Sequence, residues 1–331
     1  VSPLAFVVVV VVVAWTYDFF NGMNDAANAI ATTVSTRALT PRQAILLART
    51  MNFVGAFLTT EVARTIGKGI VQPDALTQAV VLAGVAGAAA WAAICTRFGI
   101  PISITHSLVA GLLGAGWASG GLGALNLQRL TGIGYGMVFS PVGGFLGGFA
   151  LMLACYWLLR RATPGVVSRV FRHGQILSAA YVSLAHGAND TQNAMGVITA
   201  ALLAGGFIPE FKVPLWVIVG SAFFMALGTS VGGWRVIRTL GMRLVKLQPV
   251  QGFSAEVSAA TTISAATLLG IPISTTHVIS TAIMGVGATR RLSAVRWGVA
   301  GHIVAAWVFT FPGAAAIGAA AYGLLTLTLG R

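Results

Sequence analysis

Acidic residues are scarce in this chain, and two of the seven sit in matched surroundings. Asp25 lies in Gly22-Met23-Asn24-Asp25-Ala26-Ala27-Asn28-Ala29, and Asp190 in Gly187-Ala188-Asn189-Asp190-Thr191-Gln192-Asn193-Ala194. In each stretch one Asn precedes the Asp and another follows three residues later, so carboxylate and carboxamide share one face of a helix. Oxygens of these types suit a hard cation such as Na⁺, and a carboxylate also takes a proton. Asp25, Asn28, Asp190 and Asn193 are thus candidate cation ligands, with Asp25 and Asp190 the metal ligands if the ion is Na⁺. A polar cluster that merely packs helices would account for one such Asp better than for two.

A second pair of motifs carries different chemistry. Gly99-Ile100-Pro101-Ile102-Ser103-Ile104-Thr105-His106 and Gly270-Ile271-Pro272-Ile273-Ser274-Thr275-Thr276-His277 agree at seven of eight positions. Ser103, Thr105, Ser274, Thr275 and Thr276 fall where a helix begins, so hydroxyls, free backbone N–H groups and the positive end of the helix dipole converge. Two such tips facing each other would suit a small oxyanion; one alone would do no more than cap its helix. His106 and His277 close the motifs, where each ring is placed to bond a carbonyl. Glu256 stands opposite Val85 in the other copy of the hairpin motif, which makes it a further candidate proton or cation ligand. Arg97, opposite Leu268, either attracts an anion or extends to the interface.

These residues need an apolar scaffold. With 56% hydrophobic and 8% charged residues and a mean hydropathy of +0.86, the chain falls far below the roughly 25% charge of a soluble surface. It reads as an all-α polytopic membrane protein in a lipid bilayer. The net charge of +13 would suit nucleic acid, but the basic residues are scattered between apolar segments, as topology demands, so no nucleic-acid partner is expected. Cys95 and Cys155 have no metal-ligand spacing and read as small buried hydrophobes. No cofactor is implied.

The motifs recur in order. Asn24-Asp25 matches Asn189-Asp190 at an offset of 165, Thr65-Ile66-Gly67 matches Thr239-Leu240-Gly241 at 174, and the hairpin motifs match at 171. Residues 1–160 and 173–331 are therefore expected to be two repeats joined by a cytoplasmic linker at 161–172. In each, a motif segment (4–36, 175–207) is followed by a span (43–63, 214–234). A hairpin comes next (79–98 with 104–117, 253–269 with 275–288), then a Pro-containing span (131–159, 297–329). The motif segments are too long for a bilayer core of about 30 Å and should tilt or break at the polar motif. The return helices look too short to cross, so the hairpins should be re-entrant. Three spans per half would invert the second repeat. The charges agree: 14 of 20 basic residues lie in 37–49, 160–172, 235–246 and 290–296, all on one side of this parse. Positive-inside puts that side in the cytoplasm and both termini outside. Duplicated, inverted halves with broken helices point to a transporter. A hydrolase would want a nucleophile elbow or a His-Glu-x-x-His, and the sequence has neither.

On the paired Asn-Asp and Gly-Ile-Pro-Ile-Ser-x-Thr-His motifs, and on Gln251-Gly252-Phe253-Ser254-Ala255-Glu256 before the second hairpin, the chain resembles the inorganic phosphate transporter (PiT) family. The resemblance implies phosphate symport with Na⁺ or H⁺ in the cell membrane, in some members as a metal-phosphate complex, by a homodimer. Carried over, it gives Asn24, Asp25, Ser103, Thr105, Asn189, Asp190, Ser274, Thr275 and Thr276 as the substrate site. Asp25, Asn28, Asp190, Asn193 and Glu256 become the coupling-ion candidates. Ile104 departs from the second tip's Thr275, removing one hydroxyl. A sulfate permease of the same family is the alternative. The topology is directly testable: Cys at position 168 should resist an impermeant thiol reagent in intact cells and react after permeabilisation, and labelling from outside would overturn the inverted parse.

Overall fold

The computed structural model describes residues 2–329, which form an all-helical protein; Arg331, one of the basic residues in the charge count, lies outside them. Twelve α-helices follow one another: α1 (Pro3–Ser35), α2 (Pro41–Gly55), α3 (Glu61–Gly69), α4 (Gln78–Phe98), α5 (Ile104–Gly120) and α6 (Leu127–Leu158), then α7 (Pro164–Ala204), α8 (Leu215–Val231), α9 (Trp234–Arg238), α10 (Pro249–Leu268), α11 (Thr275–Ala288) and α12 (Trp297–Leu329). Five segments are long and apolar enough to cross a membrane, or six if the bent pair α8 and Trp234–Leu244 counts as one.

Local chemistry sets the helix ends. Pro41 opens α2 at the first turn, where its missing N–H costs nothing, and Thr40 and Gln43 cap each other's backbone reciprocally. Gln248 and Gln251 do the same before α10. At the hairpins, α4 ends on Gly99 (φ 72°) and the corresponding turn after α10 has Gly270 at φ 67°. Both are left-handed positions that a Cβ would strain. Ser103 and Ser274 then cap the return helices by accepting the His106 and His277 amides, each at 3.1 Å.

Several expectations are corrected. The Asn-Asp segments do not break, because α1 is one helix of 33 residues and α7 one of 41. Their polar side chains bond across to neighbouring helices, so no backbone has to open. The interruption falls in the second element of each repeat, between α2 and α3 and between α8 and α9, where the bend is 61° at Gly232-Gly233. Within the expected linker, residues 164–172 form the largely exposed first turns of α7. The first return helix is longer than expected: Ile104–Ala124 spans 21 residues and could cross a membrane by length, unlike α11 with 14.

The repeats interlock. Helices α2 and α3 pack on α7, while α8 and α9 pack on α1; α6 packs on the α10–α11 hairpin, and α12 on α4–α5. Close helix crossings make this possible. Gly22 sits against the Met225 backbone and Gly228 against the Phe19 carbonyl, while Gly187 meets Asn52 and Gly55 meets Leu184. Small residues let helix backbones touch where lipid supplies no hydrophobic drive. A methyl at Gly228 would enter the Phe19 carbonyl, so Gly228→Ala should lose about 1–3 kcal/mol of stability. Gly298→Ala, with open space around it, should be close to neutral. Thermal melting of the detergent-solubilised protein separates the two, and equal melting temperatures would contradict this packing.

Candidate functional site

Helices α1 and α7 run antiparallel, as three contacts along their length show. The Thr36 hydroxyl donates to Gln175 Oε1 at 2.7 Å, Asp25 faces His186, and Tyr17 lies beside Asn193. Where they cross, the two Asn-Asp motifs meet. Asp25 and Asp190 are each 1% exposed, and His186 Nε2 stands 3.4 Å from Asp190 Oδ2 and 3.8 Å from Asp25 Oδ2. His186 Nδ1 faces Asn52 Oδ1 at 3.1 Å. One oxygen or nitrogen from each of Asp25, His186 and Asp190 falls within 4.8 Å of the others, compact enough for one metal ion.

Both hairpin tips reach this crossing. The Thr275 hydroxyl bridges Asp25 Oδ2 (3.4 Å) and Asp190 Oδ2 (3.1 Å), and Thr276 donates to Asp25 Oδ1 (3.0 Å). Each motif's trailing Asn holds the tip of the other repeat: Asn28 donates to Thr276 (3.0 Å) and Thr275 (3.3 Å), and Asn193 to Thr105 (2.9 Å). Each leading Asn holds its own hairpin. Asn24 donates to Thr96 and the Ile100 carbonyl, while Asn189 donates to the Ile273 carbonyl and accepts from Thr267. Asn189 also donates to Asp190 Oδ1 at 2.7 Å. Tip meets tip at His106 and His277, whose rings are 4.7 Å apart, edge to face. Neither ring makes the expected carbonyl bond; His277 stacks on Trp307 at 3.7 Å instead.

A profile of the phosphate transporter family matches residues 21–318. The chain belongs to the phosphate transporter family. It is 47% identical over 325 residues to a probable low-affinity inorganic phosphate transporter of Rhizobium meliloti (strain 1021), covering 97% of each chain. The likeness to the Bacillus subtilis (strain 168) protein of the same description is 42% over 327 residues, 98% of each. A solved structure described as the sodium-dependent phosphate transporter superposes with a TM-score of 0.88 at 30% identity, covering 98% of this chain and 99% of that one.

Away from the crossing, this transporter has a second polar centre. Glu256 is 0% exposed and accepts from Thr32 (2.5 Å), Thr33 (2.9 Å), Gln175 Nε2 (3.1 Å) and Ser178. None of its four donors was singled out from the sequence, although the repeat offsets could have found them. The positions equivalent to Gln175, Ser178, Thr32, Thr33 and Glu256 are Val10, Val13, Val197, Ile198 and Val85, all in one apolar cluster. The substitution is concerted, which marks a polar cage built in one repeat only. Thr96 and Thr267 were legible too, lying at the hairpin offset of 171.

Other candidates resolve plainly. The Arg97 side chain is exposed and takes no part in the crossing, while its carbonyl accepts from Arg235 (2.6 Å). Thr65, marked by the repeat match, donates its hydroxyl to the Gly270 carbonyl at the second tip (2.7 Å). The cross-repeat tie between Asn28 and Thr276 should show as non-additivity. In a double-mutant cycle on stability, Asn28→Ala and Thr276→Ala should couple by on the order of 0.5–3 kcal/mol, and additive effects would mean that the tie carries no energy.

Proposed function

We propose that this protein carries inorganic phosphate into the cell by symport with Na⁺, alternating access to the Asp25–Asp190 crossing from the two sides of the cell membrane. The observation that carries this reading is the convergence of all four motifs on one buried point, with Thr275 bridging the two aspartates. A small oxyanion there would take hydrogen bonds from Thr105, Thr275 and Thr276. Ser103 and Ser274 already accept backbone amides and keep their own O–H to give. Asn24 and Asn189 serve as latches that hold the hairpins to the motif helices.

Electrostatics supplies the coupling. Asp18, Asp25, Asp190 and Glu256 are buried, while no Lys or Arg is buried among the described residues. A phosphate charge about 5 Å from a carboxylate is repelled by roughly 3 kcal/mol at an effective dielectric of about 20. Cations on Asp25 and Asp190, with Asn28 and Asn193 alongside and Glu256 as a further site, would cancel that repulsion. Linkage then makes phosphate tighten Na⁺ by the factor with which Na⁺ tightens phosphate. Sodium dependence belongs to the description of the solved relative and favours Na⁺ over H⁺.

We read residues 1–160 and 173–331 as inverted repeats with 161–172 between them in the cytoplasm and both termini outside. The antiparallel course of α1 and α7 and the crosswise packing of the repeats support this. The α4–α5 and α10–α11 hairpins are then re-entrant, with tips meeting at the pseudo-two-fold axis, as transporters of this kind require. The homodimer is carried over from the family.

Radiolabelled phosphate uptake into proteoliposomes, with Na⁺ and proton gradients imposed separately and sulfate as competitor, tests the reading. An inward Na⁺ gradient should drive accumulation that sulfate does not suppress. Asp25→Asn and Asp190→Asn should each lose at least most of it, while any phosphate binding that survives depends less on Na⁺. Unchanged concentrative uptake in both variants would reduce the doubled motif to a packing device.

A further inference from the structure

Three of the four buried carboxylates have roles above. The fourth, Asp18, does not. It is 0% exposed, and neither of its oxygens meets a hydrogen-bond partner among the described residues. The same holds for both amide atoms of Asn21 and for the Ser221 hydroxyl, each also 0% exposed. Asp18 and Asn21 lie three residues apart on one face of α1. Ser221 of α8 is the neighbour beside Asp18, brought there by the Gly22 and Gly228 crossing. Five polar atoms left over at one spot in an apolar interior are costly unless something binds them.

We infer that Asp18, Asn21 and Ser221 form a binding site for a single monovalent hard cation, Na⁺, separate from the Asp25–Asp190 crossing. The donor set is a carboxylate, a carboxamide oxygen and a hydroxyl, all hard oxygens. One carboxylate balances one positive charge, so a divalent ion would keep a net charge here, and no Lys or Arg is buried among the described residues to neutralise Asp18 instead. The repeat supplies an internal control. The positions equivalent to Asp18 and Asn21 are Ser183 and His186, and both engage protein groups: Ser183 donates to the Ala179 carbonyl (2.6 Å), while His186 meets Asn52 through Nδ1 and turns Nε2 to the Asp25 and Asp190 carboxylates. The unpaired cluster is therefore particular to the first repeat and not a by-product of the fold.

The site sits on the polar stripe Asp18, Asn21, Asp25, Asn28, Thr32 of α1. Seven residues separate Asp18 from Asp25, about 10 Å along the helix. Thr32, against Glu256, is as far on the other side. Asp18 thus lies on the N-terminal approach to the crossing, where a cation would wait before or after phosphate binds. The inference extends the Na⁺-coupled reading but does not need phosphate.

Equilibrium ²²Na⁺ binding to the purified protein in phosphate-free buffer tests it, with wild type, Asp18→Asn and Ser221→Ala compared at several Na⁺ concentrations. Asp18→Asn should bind one equivalent fewer than wild type. Ser221→Ala should keep the count and weaken that equivalent by on the order of fivefold or more, which serves if Asp18→Asn fails to fold. An Asp18→Asn count equal to wild type overturns the site, as does an unshifted Ser221→Ala curve; a proton held on Asp18 in place of Na⁺ would give that result. Loss of the equivalent in a protein that proves not to move phosphate would leave the site standing and remove only the phosphate reading.

Discussion

Everything in this molecule is arranged around an electrostatic conflict at the crossing of α1 and α7. Two buried aspartates lie close enough that one threonine hydroxyl reaches both, and the His186 imidazole approaches both carboxylates. Two like charges so placed in an apolar interior repel strongly and are stable only with compensating charge or protons. The helices could avoid the conflict by sliding a turn past each other. They are prevented by Asn28 and Asn193, which tie each motif helix to the tip of the other repeat.

Holding two long helices in that register takes backbone contact, and the glycine crossings provide it. Gly22 and Gly228 join α1 to α8, and Gly187 and Gly55 join α7 to α2. Because each second element packs on the motif helix of the other repeat, neither half buries its own polar face alone. The bends between α2 and α3 and between α8 and α9 follow from the same wrapping. After crossing a motif helix closely, the chain turns so that Thr65 and Arg235 reach the hairpin tips. The break therefore belongs in the wrapping element, whereas a break in α1 or α7 would loosen the register that defines the site.

That distinction explains what the sequence could and could not reveal. Motif order, helical class, the turns at Gly99 and Gly270 and the meeting of the tips were legible, because each rests on residue types whose local chemistry is strong. The location of the breaks was not. Helix length alone argued for a break at Asn24-Asp25, but bonds from the Asn24 amide to Thr96 and from Thr275 and Thr276 to the Asp25 carboxylate engage these groups without opening the backbone. Asp18 and the four donors around Glu256 were overlooked for another reason, although Glu256 itself stood out against Val85. Repeat matching highlights what the halves share, and both features exist only where the halves differ.

If the protein works by alternating access, as proposed above, those differences have an energetic consequence. If the side chains obeyed the two-fold exchange, the two access states would be interchangeable and equal in energy. The paired glycine crossings and the paired Asn–Thr ties follow it. The polar groups do not: a glutamate cage is matched in sequence by an apolar cluster, Asp18 by Ser183, and His186 by Asn21. Cations settling at Asp18 or Glu256, as proposed, would stabilise environments with no counterpart in the other repeat and would bias the two states unequally. A ligand shifts a conformational equilibrium only by its difference in affinity for the states. On the proposed alternating-access reading, the doubled fold would make two states reachable, and the undoubled carboxylates would give ions a means to choose between them.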